Sequence, residues 1–228
     1  IRDSYFTGGS YKDSEYMWMK NFLQLDGLVY KLVPIKTPIN KENPYQMGRI
    51  DPNRMYNIVK KWEWGNSESS EIYHDPETRK NSISFRSNLH RLAESFISIG
   101  ENKKAKDIMD LSFEKMPFEY FEYYSISEPY ISSYYKIGEK KKAQDLFRNI
   151  EKKYLDQIKY YSISLNQQPE KFPIKEFAEN IFTYTERYRG LIENEILLGN
   201  YSFVSNSIEN FIEYTEVFKN IYGEYDYY

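Results

Sequence analysis

The chain has 228 residues, 40% of them apolar, 18% aromatic and 29% charged, and its 31 Lys+Arg against 34 Asp+Glu leave a formal net charge of −3. That balance leaves no electrostatic footprint for nucleic acid, and the absence of cysteine excludes disulfides, zinc–thiolate sites and thiol nucleophiles. No apolar run reaches the ~18 residues of a membrane helix, so no span is expected here, while the length allows one large domain, or one and a small annex.

A cysteine-free chain suits an oxidising or a reducing compartment. The start at Ile1 rather than Met, with no signal-peptide pattern, reads as a fragment of something longer or a processed product. The 24 tyrosines admit two readings. One is helix–helix packing; the other is a binding surface, because the ring is apolar in body and polar at its tip.

In chain order, residues 1–12 look irregular, with a turn at Gly8-Gly9-Ser10. That turn is no phosphate loop, since it lacks the Gly-Lys-Ser/Thr ending. Ser14 and Glu15 predict a helix start, and Trp18, Met19, Phe22 and Leu25 extend the helix over Tyr16–Leu25, with Gly27 ending it. Leu28–Val33 is a short β-prone run stopped by Pro34, and residues 34–50 read as loop. Asp51-Pro52 is a strong helix start. Met55, Ile58, Val59 and Trp62 form the buried stripe, with Gly65 at its end and polar loop over 66–80.

Phe85, Leu89, Leu92, Phe96 and Ile99 recur at steps of three and four and predict an amphipathic helix, capped by Asn81, Ser82 or Ser84 and stopped by Gly100. A second helix carries Ala105, Ile108, Met109 and Ser112 inward until Pro117. The stretch Ile99–Asp107 returns as Ile137–Asp145; Gly100 to Gly138 and Ala105 to Ala143 both give a period of 38 residues. The pattern resembles a tetratricopeptide (TPR) helix pair, whose usual period is ~34 residues, with the extra length in Phe118–Ser127.

The second copy keeps Tyr130, Ile131, Tyr134, Gly138, Ala143, Phe147 and Ile150, but Leu155 replaces Pro117, so its second helix runs on or bends. Tyr154, Leu155, Ile158 and Tyr161 share one side of that stretch, and Gln167–Pro173 is a break. A long helix over 174–198 turns Phe177, Ile181, Tyr184, Tyr188, Leu191 and Ile192 inward, and a third, degraded copy centres on Gly199 with Val204, Ile208 and Phe211 beyond it. The last helix spans about 201–221, and Glu224–Tyr228 is a frayed tail.

The expected fold is mainly α, a TPR-like helical-repeat stack with a small mixed N-terminal segment containing a short strand or hairpin. Residues 1–80 form the mixed segment that docks on the repeats, and 81–228 form the repeat domain. Gly100→Val is expected to cost more than Gly65→Val, because Gly100 occupies the tight interhelical turn.

No catalytic constellation stands out, and no cofactor or metal is expected. His74 and His90 lack ligand spacing. Glu119/Glu122 and Glu193/Glu195 are ordinary acidic pairs with nothing to mark one as buried, and Lys140-Lys141-Lys142 is a solvated face. The candidate binding residues are Arg79, Arg86, Arg91, Tyr123 and Tyr124. The favoured reading of Arg86 and Arg91 pairs them with carboxylates such as Asp75, tying the N-terminal segment to the repeats. The other reading is recognition of an acceptor or a glycan phosphate. Tyr130 and Tyr134 are expected to be buried, and at least one of Tyr123 and Tyr124 exposed.

Leu25-Asp26-Gly27-Leu28-Val29-Tyr30-Lys31-Leu32-Val33-Pro34 within Tyr16–Thr37, joined by Tyr56, Trp64-Gly65, Tyr73, Asp75, Arg79, Arg86 and Arg91-Leu92-Ala93, carries a family resemblance. With the helix pairs, these residues resemble the soluble C-terminal region of bacterial protein O-mannosyltransferase-like membrane proteins, a domain of unknown function, over most of residues 5–165. The resemblance implies a polytopic glycosyltransferase-like parent, a lipid-linked sugar donor, a protein acceptor and a tail on the periplasmic side. This stretch lacks the multi-span domain and its acidic catalytic residue, so no catalytic residue carries over and no transferase or hydrolase activity is expected of it alone. The expected role is a non-catalytic accessory or binding domain contacting the acceptor protein or peptide, or its glycan, beside the N-terminal membrane domain of the same parent. The alternative is a free-standing TPR-type interaction scaffold.

Overall fold

A computed structural model describes residues 5–7, 17–38, 47–167 and 174–225. The turn at Gly8–Ser10, the helix start at Ser14–Glu15, most of the Gln167–Pro173 break and the last three residues of the tail lie outside these. The fold is mainly α with a small N-terminal sheet, and the chain divides into two compact units, Ile1–Glu139 and Lys140–Tyr228. The boundary between the two units falls at 139/140.

The first unit opens with a sheet of four short strands, β1 (Tyr5–Thr7), β2 (Leu23–Asp26), β3 (Val29–Leu32) and β4 (Arg49–Ile50), in the order β1-β3-β2-β4. β2 and β3 form an antiparallel hairpin with Leu25 opposite Tyr30, β1 pairs antiparallel with β3, and β4 lies parallel to β2 with Leu25 opposite Ile50. The Tyr16–Leu25 helix is therefore corrected. A 3-10 turn spans Met17–Phe22, and Leu23–Asp26 is a strand. Gly27 has φ 75°, the positive value a two-residue hairpin loop needs at its first position, so it turns the hairpin instead of ending a helix. The loop over 34–50 likewise yields its last two residues to β4.

Asp51 caps α1 (Pro52–Val59) by accepting from Arg54 N at 3.1 Å, with Pro52 at the first helical position. α2 (Pro76–Ser98) begins on the same signal. Asp75 accepts from Glu77 N and Thr78 N at 2.9 and 3.1 Å, so neither Asn81, Ser82 nor Ser84 is the cap. These bonds, with the Thr78 hydroxyl first among them, hold the Asp75 carboxyl below the usual carboxylate range. α2 buries Leu89, Leu92, Ala93 and Phe96 and turns at Gly100, φ 78°, into α3 (Asn102–Lys115), which buries Ala105, Ile108, Met109 and Ser112. α4 (Glu128–Lys136) ends the unit, with Tyr130 and Tyr134 both buried as expected.

Hydrogen bonds tie α1 to the sheet and both to this core. Arg54 Nε donates to the buried Asp26 Oδ2 at 2.8 Å, Asn88 Nδ2 to Gly27 O at 3.0 Å, and the Tyr56 hydroxyl to Asp107 Oδ2 at 2.8 Å.

The second unit contains α5 (Lys140–Gln167), α6 (Ile174–Leu197) and α7 (Tyr201–Tyr225). α5 runs on past Leu155. α6 buries Phe177, Ile181, Tyr188, Leu191 and Ile192, and it turns into α7 at Gly199, φ 80°. One polar network joins all three helices. Arg148 Nη1 meets Glu151 Oε2 at 2.6 Å and Ser207 Oγ at 2.9 Å, and the buried Tyr188 hydroxyl lies 2.8 Å from Glu151 Oε1 and 2.9 Å from Ser207 O. Glu195, expected on a solvated face, is buried and accepts from Asn200 Nδ2 at 2.8 Å, which places it at the α6–α7 turn.

Gly65 and Gly100 both adopt positive φ, 59° and 78°, and a Cβ on either meets open space. The expected contrast between their valine variants therefore has no structural basis. Gly48 differs: at φ 74° its Cβ would stand 2.9 Å from Leu23 O, inside the β2–β4 pairing. Gly100→Ala should cost about 1 kcal/mol of left-handed strain, and Gly48→Ala about 2–3 kcal/mol because backbone must also move. Thermal melts of the two variants measure the difference; equal losses would mean that β4 does not hold Gly48 against β2.

Candidate functional site

A polar pocket of 470 Å³ in the first unit is lined from α2, α4, Gly48 and β4. Helical spacing explains its wall. His90, Glu94 and Ser98 stand four apart on one stripe of α2, Arg91 and Ser95 on the next, and Ser132 and Lys136 stand four apart on α4.

Its floor is a relay of hydrogen bonds. Ser133 Oγ donates to Glu94 Oε1 at 2.5 Å and lies 2.9 Å from His90 Nε2, while Lys136 Nζ donates to Glu94 Oε2 at 2.9 Å. With the serine proton directed at Glu94, the hydroxyl accepts from His90, so His90 carries its proton on Nε2. Burial pushes the His90 imidazole below its ordinary pKa, against the pull of Glu94. Burial alone would raise Glu94, but hydrogen bonds from Ser133 and Lys136 and the charge of Lys136 hold it below the ordinary carboxylate value. This is not a nucleophile's geometry. The carboxylate contacts the serine instead of the far ring nitrogen, and Ser133 is fully buried.

Above the floor, the Ser95, Ser98 and Ser132 hydroxyls donate to Arg91 O, Ser95 O and Pro129 O. Their protons are taken and their lone pairs remain. Arg91 supplies the join to the sheet: Nη1 donates to the Tyr30 hydroxyl at 3.2 Å, and Nη2 to Met47 O at 2.9 Å and Gly48 O at 3.0 Å.

The other sequence candidates lie elsewhere in the same unit. Arg86 is buried and donates to Met116 O at 2.6 Å. Arg79 pairs with Glu122 at 3.0 Å. Tyr123 is exposed with a left-handed backbone, φ 64°, and Tyr124 is half-buried with its ring stacked on Phe118 at 5.1 Å. Neither Arg86 nor Arg91 takes Asp75 as partner. Arg86 gives Nη2 to a backbone carbonyl, Arg91 gives Nη2 to two carbonyls and Nη1 to the Tyr30 hydroxyl, and Asp75 caps its own helix. Four of the five candidates thus gather where the 116–127 connection crosses α2, and Arg91 alone lines the polar pocket. His90, Glu94, Ser133 and Lys136 were missed as a group; the signal available was the spacing of four between His90 and Glu94 and of three between Ser133 and Lys136.

The sheet region also carries a likeness to known proteins. The family model described as TMEM260-associated domain 2 matches residues 1–54. That stretch includes the described parts of the sheet and the first turn of α1. No curated protein and no solved structure matches the chain. Among the described residues no group of His, Asp and Glu has metal-binding geometry, and no helix is long and apolar enough to cross a membrane.

The relay gives a pH dependence whose sign follows from the shifts. His90 is lowered in the folded state, so the unfolded chain binds the proton more readily, and stability falls as pH drops through the ordinary histidine value of about 6.5. Glu94, also lowered, withdraws stability only below about 4.5. Melting temperature should therefore decline from pH 7.5 to 5.5, and His90→Gln should flatten that decline. A profile of equal slope in both proteins would remove His90 as its source.

Proposed function

We propose that this chain is a non-catalytic, extracytoplasmic accessory domain of a membrane glycosyltransferase-like parent of the protein O-mannosyltransferase-like kind, and that it contacts the acceptor protein or its glycan. The carrying observation is the polar pocket, where three serine lone-pair sites, a carboxylate and two cationic side chains converge around 470 Å³. Such a set suits a hydrogen-bonding ligand, an extended peptide or a hydroxylated sugar, better than an apolar one. The likeness of residues 1–54 to a TMEM260-associated domain supports the link to a membrane parent. The helix pairs turning at Gly100 in the first unit and at Gly199 in the second, each with positive φ, support a TPR-like reading of the remainder. The parent's membrane domain is then the neighbouring partner, and the periplasmic side of a bacterial membrane the compartment.

Binding of one Ser/Thr-rich peptide, bare and mannosylated, by the purified chain tests the proposal. Ser98→Tyr fills the pocket from an exposed position and should weaken binding about tenfold or more, with a stability change within about 0.5 kcal/mol. Tyr123→Ala should leave binding unchanged. Failure of both peptides to bind, or binding indifferent to Ser98→Tyr, would refute the assignment to this pocket.

A further inference from the structure

A second concavity of the first unit shares no wall residue with the polar pocket. It measures 260 Å³, and its apolar wall is built from Trp64, Phe85, Met116 and Phe121. Local structure sets these groups. Gly65 and Asn66 both take left-handed backbone, φ 59° and 57°, and Ser67 N closes the turn on Trp64 O at 3.1 Å. Two successive positive φ values mark a type I′ turn, which holds Trp64 and Ser67 side by side. On α2, Thr78, Asn81, Ser82 and Phe85 fall at i, i+3, i+4 and i+7, one face of the helix. Trp62 and Trp64 meet at 5.4 Å, Trp62 and Phe85 at 5.4 Å, and Trp64 and Phe85 at 5.7 Å, so three rings from two segments lock one another. Phe121 is brought back by a turn, its N on Pro117 O at 3.0 Å.

The polar part of the wall is rich in electrons and poor in donors. The Ser67 hydroxyl donates to Lys115 O, that of Thr78 to Asp75 Oδ2 and that of Ser82 to Arg79 O, each at 2.6 Å. Their protons are taken and their lone pairs remain. Of the lining residues only Glu63 is charged; it is exposed and has no ion pair or hydrogen bond among the described residues. The arginines of this stretch of α2 do not line the space. Arg86 lays its guanidinium over the Phe113 ring at 4.7 Å, and Arg79 gives Nη1 to Glu122 at 3.0 Å.

We infer that this pocket receives one lysine or arginine side chain of a partner polypeptide, its alkyl stem among Trp64, Phe85 and Phe121 and its charge on the Glu63 carboxylate. The volume falls below the ~300–1,000 Å³ of small-molecule sites and suits a single side chain. Ring faces carry negative potential and attract a cation within about 6 Å of their centroids. The methylenes of a basic side chain bury against apolar surface while the charged end stays at the rim. The serine and threonine lone pairs accept its remaining N–H groups. An anion would meet a carboxylate and lone pairs, and a neutral apolar chain would gain nothing from Glu63.

The test titrates the full chain with acetyl-Gly-X-Gly-amide peptides in which X is arginine, lysine or norleucine, reading tryptophan fluorescence and calorimetric affinity. Saturable binding of a basic peptide is expected, about fivefold or more tighter than the norleucine peptide and weakening as salt rises. Glu63→Gln changes an exposed side chain and should weaken the basic peptides about two- to fivefold, the range of an exposed ion pair, without affecting norleucine. Trp64→Leu should weaken them about threefold or more by removing a ring; should that variant fail to fold, Glu63→Gln carries the test. Ser98→Tyr, which fills the polar pocket, should leave this binding unchanged, so the two sites stand or fall separately. No saturable binding, norleucine binding as tightly as both basic residues, an unchanged affinity in Glu63→Gln, or loss of binding in Ser98→Tyr would each overturn the inference.

Discussion

The register of α2 constrains everything else in the first unit. One helix supplies Leu89, Leu92, Ala93 and Phe96 to the core, Asn88 and Arg91 to the sheet, His90 and Glu94 to the polar pocket, and Arg79 and Arg86 to the 116–127 connection. A slip of one residue turns every side chain by about 100° around the axis and would lose all four sets together. The start is accordingly fixed by a carboxylate cap and a proline, and the end by a glycine in the left-handed region. Burying each large apolar side chain of the stripe contributes about 1.5–3 kcal/mol, so the core holds the register and the polar sets follow it.

Those polar sets share one habit: long polar side chains reach backbone carbonyls. Arg91 reaches Met47 O and Gly48 O, Arg86 reaches Met116 O, Tyr130 reaches Arg86 O, and in the second unit Arg148 reaches Phe203 O. Met47, Gly48 and Met116 lie outside helices and strands, so there the arginine fixes irregular backbone to α2; the Arg86 and Phe203 carbonyls lie on helices. Truncating such a donor leaves a buried acceptor unpaired, which is worth about 1–3 kcal/mol.

This habit also explains how far the sequence could be read. The apolar stripes of α2, α3 and α6 and the glycine turns at 100, 138 and 199 were legible, because spacing of three and four and a glycine stop are local signals. Leu23–Asp26 was misread because Trp18, Met19, Phe22 and Leu25 match a helical stripe as well as a turn followed by a strand. The Asp26-Gly27 pair was the cue to the hairpin. Asp75-Pro76 repeats the start recognised at Asp51-Pro52, yet it was passed over inside a polar stretch. The arginines were legible as long-range ties but not in their partners, since a carbonyl acceptor leaves no residue type to search for. The pocket joins Gly48, His90 and Lys136 from three distant parts of the chain, and only the tertiary fold assembles it.

The tyrosines show the same physics from the donor side. Tyr130 and Tyr188 are fully buried, Tyr134 nearly so, and each hydroxyl is within hydrogen-bond distance of a carbonyl or a carboxylate. Burial raises the pKa of all three above that of free tyrosine, so the hydroxyls stay protonated as donors at neutral pH. A phenylalanine would fill the same space and leave the carbonyl or carboxylate without its donor. In these helices tyrosine therefore serves as a core residue that can satisfy polar groups across a helix–helix contact. The aromatic content that suggests a binding surface in the sequence is, at these positions, interior chemistry, and the polar wall of the 470 Å³ pocket is made of serines, charged side chains and one histidine.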